Sequence, residues 1–170
     1  MKILVLVGSP RKNGNSVALA AAFAEGAQSA GHEVTTLNVG TMKIGACLAC
    51  EYCHTKGEGS CIQKDDMQKV YPELAAADMI VFACPIHYFN ITGELQCAIT
   101  RFYAKGKPAA KKYAMILSSA SEGVYNAAIA QYKTMTGYFG AEDMGIKTFS
   151  GGEQTAPEKL EELRAFGASL

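Results

Sequence analysis

With 170 residues and 49% apolar content, the chain has the size and composition of one ordinary domain, and nothing in it marks a second core or a linker. Lys plus Arg and Asp plus Glu are equal at 16 each, so the surface lacks the one-signed charge that draws a duplex or an anionic membrane, and no nucleic-acid or membrane partner is expected. Residues 1–7 hold one Lys and too few apolar residues for a signal-peptide core or a bilayer span, which points to the cytoplasm; there the 6 Cys are not expected to form a disulfide framework.

In chain order, residues 2–7 are the first of three near-continuous apolar runs, as in strands buried on both faces; residues 77–83 and 113–117 are the others. Leu19, Phe23 and Ala27 follow the first run at i+4 spacing and predict a helix closed at Gly31. Residues 33–39 alternate better and suit a sheet edge, as do 143–149. Met67, Val70, Tyr71 and Leu74 give a second helix behind Asp65, with Gln68 placed for a capping box and Pro72 predicting a kink or restart. Further helices are expected over 93–103, 124–139 and 157–166, the last opened by Pro157. Strictly alternating strands and helices imply an α/β fold with right-handed crossovers onto one parallel sheet, helices on both faces, and five strands favour the flavodoxin-like order 2-1-3-4-5. Ligands of such sheets sit beyond the carboxyl ends of the strands, so the loops after Val7, Ala83 and Leu117 are the ones to inspect.

The loop after the first strand, Gly8-Ser9-Pro10-Arg11-Lys12-Asn13-Gly14-Asn15-Ser16, combines glycines, short polar side chains and two cations at a helix N-terminus. That chemistry suits a phosphate held by backbone N–H groups, with Ser9, Asn13, Asn15 and Ser16 to donate and Arg11 to neutralise. A capped helix behind a polar turn is the plain alternative. The spacing is neither G-x-G-x-x-G nor Walker A, since Asn15 stands where a P-loop needs Lys. The segment resembles the FMN-phosphate loop of the NAD(P)H-dependent FMN reductase and iron–sulfur flavoprotein family, and the likeness extends through most of the chain. The resemblance implies FMN as cofactor, NAD(P)H as electron donor, and a homodimer or tetramer.

It also implies that Pro85, Ile86, His87, Tyr88, Phe89 and Asn90, after the third strand, lie along the isoalloxazine ring, with Ser119 and Ala120 completing the site. His87 stands where the family usually has Tyr, and Phe89 where it usually has a small residue. Farther on, Gln96 and Thr100 replace the family's Lys and Asp before Arg101, which weakens an expected salt-bridge pattern. His32 and His54 read as solvated, and Cys84 and Cys97 as small buried hydrophobes. Neither of these cysteines starts a Cys-x5-Arg phosphatase loop.

Cys47, Cys50, Cys53 and Cys61 form a C-x2-C-x2-C-x7-C run in the loop 44–64 of the single 1–170 domain. Four thiolates can ligate a [4Fe–4S] cluster, and the first three have ferredoxin-like spacing; Gly57 and Gly59 would let the turn bring Cys61 back. Zinc and a set of free thiols are the alternatives. Two functions follow. One is an FMN-dependent oxidoreductase passing electrons from NAD(P)H to a flavin, quinone or other small acceptor. The other is a flavin and iron–sulfur electron carrier that serves a protein partner without small-molecule turnover.

Overall fold

The computed structural model describes residues 1–170. Strand and helix alternate as β1 (Lys2–Val7), α1 (Asn15–Ser29), β2 (Glu33–Asn38), α2 (Met67–Ala76), β3 (Met79–Pro85), α3 (Gly93–Thr100), β4 (Lys112–Ser119), α4 (Asn126–Phe139), β5 (Glu142–Ser150) and α5 (Pro157–Ala168). Short 3₁₀ turns lie at Val39–Thr41, Tyr52–His54 and Arg101–Lys105. All strand pairings are parallel, in the order β2-β1-β3-β4-β5 that the apolar runs predict.

The central strands divide their side chains between two cores. Leu4 and Leu6 of β1 join Ile80 and Phe82 of β3 under α2, α3 and α4, while Ile3, Val5 and Val7 join Val81 and Ala83 under α1 and α5. On the second face α1 and α5 pack backbone to backbone. A Cβ at Gly26 would fall 1.9 Å from the Arg164 carbonyl oxygen, and one at Gly167 would fall 2.2 Å from that of Phe23.

Several boundaries move from the sequence expectation. The expected strand 77–83 runs instead from Met79 to Pro85, which carries it two residues nearer the ligand end of the sheet. The helix expected over 93–103 tightens after Thr100 into the 3₁₀ turn. α1 closes as predicted. Gly31 has φ +84°, and the amides of Gly31 and His32 donate to Gln28 and Ala27, the paired bonds of a Schellman end.

Two expectations for α2 fail. The helix runs through Pro72 without interruption, Pro72 lying on its exposed side. The capping box does not form: the Asp65 carboxylate accepts from the Met67 amide, but the Gln68 side chain donates to the Gln63 carbonyl. Asp65 is spent elsewhere. Its carboxylate takes the buried Arg101 guanidinium at 2.7 and 3.3 Å and the Gly45 amide at 3.0 Å. Arg101 also donates to the Gly45 carbonyl at 3.0 Å, so one side chain ties together both ends of the cysteine loop. The weakened salt bridge expected around Arg101 is thus replaced by one drawn from a distant segment. Thr100, in place of the family's Asp, accepts from the Cys47 amide at 3.2 Å.

Candidate functional site

The loop after β1 turns on glycines that no other residue could replace without displacement. A Cβ at Gly8 would lie within 3.0 Å of Leu95, Thr92 and Cys84, and one at Gly14 would lie 2.7 Å from Ser9 Oγ. Thr92 pins this loop to the start of α3. Its hydroxyl donates to the Gly8 carbonyl at 2.7 Å and accepts from the Leu95 amide as the α3 N-cap. Beneath them, burial pushes the Cys84 thiol up to about 11, against the opposing hydrogen bonds from Thr92. It is therefore a neutral packing group at neutral pH, as the sequence suggests. Cys97 is only half-buried.

The side chains of the loop are arranged differently from the sequence expectation. Ser9 is buried, and its hydroxyl donates to the Arg11 carbonyl while accepting the Arg11 amide, so it braces the turn. Asn15 donates to Gln154 Oε1 at 2.9 Å. The donors left over belong to the backbone: the amides of Lys12, Asn13, Asn15 and Ser16 make no hydrogen bond within the chain. Amides at a helix N-terminus, with the exposed Arg11 and Lys12 beside them, form a cradle for a phosphate-sized anion. Ser16 adds one more donor. Its hydroxyl lies 2.7 Å from that of Ser118 in a buried pair. Two hydroxyls sharing one bond leave one O–H proton to be aimed elsewhere.

Gln154 and Ser118 are the residues that sequence reasoning missed. Gln154 is buried; its amide nitrogen donates to the carbonyls of Ser119 and Gly151 at 2.8 and 2.9 Å, while its oxygen holds Asn15. It thereby locks together the loops that follow β1, β4 and β5. The Gly151-Gly152 turn before it was the available signal for a bend, though not for this contact. Ser119, a predicted site residue, accepts the Ser121 amide on its hydroxyl and the Gly151 amide on its carbonyl; Ala120 is exposed.

After β3, Pro85 still pairs with Ser118 of β4, and the Ile86 amide donates to the Ser118 carbonyl at 2.8 Å. His87 and Asn90 then pair with each other around Tyr88 and Phe89, and the Asn90 side chain accepts the Ile91 amide. All four residues from His87 to Asn90 are exposed, so Tyr88 and Phe89 are not core aromatics. The predicted residues of the loops after β1, β3 and β4 therefore gather at the carboxyl ends of neighbouring strands.

The cysteines lie apart from that cluster. Cys47 bonds Thr100, the Tyr103 hydroxyl donates to Glu51 at 2.9 Å, and His54 Nε2 pairs with the Tyr103 carbonyl at 2.9 Å. The loop is thus folded over the C-terminal end of α3, whereas Thr92 at the other end touches Gly8. Eight residues of helix separate the two ends by about 12 Å. Cys47, Cys50, Cys53 and Cys61 do line one space, but it measures only about 20 Å³, room for about one water. No three of them are placed to hold a single ion, Cys50 is exposed, and burial pushes the Cys53 thiol up. The run expected to ligate a cluster is thus gathered around one space without three thiols set about a single ion. His54 is exposed but packed edge-on against Tyr103 at 4.6 Å. His32, expected to be solvated, is half-buried with Nδ1 3.3 Å from the Met1 nitrogen. No helix is long and apolar enough to cross a membrane.

Residues 1–156 match the family model of NADPH-dependent FMN reductases. The chain belongs to that family. An iron–sulfur flavoprotein of Methanocaldococcus jannaschii is 40% identical to it over 101 residues, 59% of this chain and 50% of that protein. One from Archaeoglobus fulgidus is 33% identical over 106 residues, 62% of this chain and 47% of that protein. The chain therefore spans about half the length of the curated relatives it matches. Among solved structures, the NAD(P)H:quinone oxidoreductase from Methanothermobacter marburgensis superposes with a TM-score of 0.75 at 20% identity, covering 99% of this chain and 95% of that one. An FMN-dependent NADH-azoreductase from Bacillus anthracis, solved in complex with FMN, gives 0.67 at 16% identity over 99% and 97%. At those identities the likeness is one of fold, and it agrees with the five-stranded order seen here.

Proposed function

We propose that this chain binds FMN across the carboxyl ends of β1, β3 and β4 and works as a flavin-dependent oxidoreductase that takes electrons from a reduced nicotinamide. The observation that carries the reading is the set of unspent amides at Lys12, Asn13, Asn15 and Ser16, in a chain of the FMN reductase family. These amides and the spare Ser16–Ser118 proton would hold the phosphate, while Arg11 offsets its charge. The backbone of 86–90 would lie along the ring, and Gln154 would keep the three loops in register. Bound FMN supplies the hydride-accepting and electron-donating chemistry, and the protein supplies position and electrostatics. No side chain at these strand ends is arranged as a dedicated acid or base.

Purified protein should be yellow and release FMN on denaturation, and it should consume NADH or NADPH steadily when a quinone is added. Ser16→Ala should weaken FMN binding roughly tenfold, the loss of one hydrogen bond to a charged group. Colourless protein that takes up no added FMN would overturn the reading.

A second reading, an electron carrier with a [4Fe–4S] centre, draws support from the relatives' names and from four thiols around one space. It would require the loop 44–64 to repack, turning the exposed Cys50 toward the buried Cys53. Anaerobic purification with iron, sulfide and zinc analysis, repeated on Cys50→Ala, decides it. About four irons per chain, lost in the variant, would favour the carrier. In either case we propose that the working form is a homodimer or tetramer in the cytoplasm.

A further inference from the structure

Each crossover helix carries the chain from the carboxyl end of one parallel strand to the amino end of the next. The last turns of α3 and α4 therefore lie at the end of the sheet remote from the amide cradle. Between those turns and the segment 102–107 a cleft of about 600 Å³ opens, the size of a small-molecule site. Its floor is apolar: Phe102 is buried, and Ile99, Met135 and Phe139 pack against the core. Its rim carries two exposed rings, Tyr138 at 82% and Tyr103 at 46%. Tyr103 is held in place beforehand. His54 packs edge-on against its ring at 4.6 Å and pairs with its carbonyl, and its hydroxyl donates to Glu51. A ring fixed in advance loses little freedom when a ligand stacks on it.

One fixed charge lies among these walls. Lys107 enters none of the chain's ion pairs, and its Nζ would lie 3.8 Å from a Cβ at Gly140, at the C-terminal end of α4, whose dipole favours an ammonium there. No Asp or Glu lines the cleft, and Glu51 beside it is taken by the Tyr103 hydroxyl. An apolar floor, an aromatic rim and one unopposed cation describe a ligand with an aromatic body and a single negative group. A second copy of the chain fits less well. A two-fold contact would set this patch against itself, and the patch has no carboxylate to meet Lys107.

We propose that the cleft between the ends of α3 and α4 binds an aromatic monocarboxylate, its ring against Tyr103 and Tyr138 and its carboxylate on Lys107, at a site separate from the flavin. The proposal does not depend on the flavin reading. The test is calorimetric titration of the full chain, with and without FMN, using 2-naphthoate and its uncharged analogue 2-naphthamide. It compares native protein with Lys107→Met, Lys107→Arg and Tyr138→Ala; both positions are exposed, so the variants should melt as native does. Native protein should bind one 2-naphthoate per chain and bind the amide about tenfold more weakly, the worth of one charge-assisted contact. Lys107→Met should lose about the same tenfold and Lys107→Arg should retain binding, while Tyr138→Ala should lose about fivefold. FMN should not compete. No binding of 2-naphthoate at millimolar concentration, equal affinity for acid and amide, unchanged affinity in Lys107→Met, or displacement by FMN would each overturn the site. So would light scattering in which Tyr138→Ala splits a native oligomer, because a second copy would then fill the cleft.

Discussion

A buried arginine needs its partner more than a surface one does, because charge that is taken from water and left unpaired costs several kcal/mol. The Arg101 side chain is 1% exposed and that of Asp65 is 19% exposed, so their ion pair sits nearly out of solvent at the base of the cysteine loop. Burial tends to raise the Asp65 pKa, but the Arg101 hydrogen bond and the amides of Gly45 and Met67 outweigh it and hold the carboxyl below its ordinary 3.8. The sign follows from that depression. The pair's contribution is fully present above the unfolded pKa and is lost as pH falls through the folded value, so it fails only in acid below about pH 4. Asp65→Asn should therefore lower stability by about 2 kcal/mol at pH 7, with the gap to the native protein closing as pH is taken below 4. Urea titrations at pH 7 and pH 3 check this; an equal gap at both would show that the charge is not what matters. Burial acts in the same direction on Tyr71, whose hydroxyl donates to the Arg101 carbonyl, but there it prevails over the lowering effect of Arg101 and the hydroxyl is pushed up to about 12. It stays protonated as a structural donor.

At the contact between α1 and α5, helix pairing depends on glycine rather than on interlocking side chains. The Cβ of Gly26→Ala would meet the Arg164 carbonyl oxygen at 1.9 Å, and that obstacle is backbone, which cannot rotate away. We expect Gly26→Ala to cost at least about 2–3 kcal/mol, through separation of the two helices. Alanine's better helix propensity returns only about 1 kcal/mol of that. A melting temperature equal to native would refute the close contact. The two glycines carried no signal of this in the sequence, because a helix–helix crossing is set by the partner and not by the local pattern. What could be read locally was read correctly: apolar runs located β1, β3 and β4, and the i+4 apolar spacing located α1. What failed was also instructive. Pro72 predicts a kink or restart in α2, but the helix's apolar face of Met67, Val70, Tyr71 and Leu74 is wholly buried, and packing outweighs one missing hydrogen bond. The capping box failed because Arg101, 36 residues away, claims the Asp65 carboxylate. Gln154 and Ser118 escaped notice for the same reason: their partners Asn15 and Ser16 are 139 and 102 residues distant, and no local pattern predicts such pairs.

Across the molecule, the loops at the carboxyl ends of β1, β3, β4 and β5 are tied to one another mainly by a few polar bonds. Asn15, Gln154, Ser119 and Gly151 form one chain of such bonds, and Ser16 with Ser118 forms another. The sheet beneath is densely packed, and these loops carry amides that make no hydrogen bond within the chain and that an anion can take. A ligand that binds the folded state alone should stabilise it by about 2.7 kcal/mol at a concentration of 100 times its dissociation constant. For a domain of this size that corresponds to a rise in melting temperature of several degrees. FMN should therefore raise the melting temperature in proportion to the logarithm of its concentration, and inorganic phosphate should do so more weakly, since it fills the cradle but not the strand ends. Riboflavin, which has the ring without the phosphate, should also fall well short of FMN. Gln154→Ala separates the roles further. It removes the link between loops without touching the amides, so it should reduce the FMN-dependent rise more than the melting temperature of the ligand-free protein. Equal stabilisation by riboflavin and FMN would mean that the amide cradle is not where the phosphate binds.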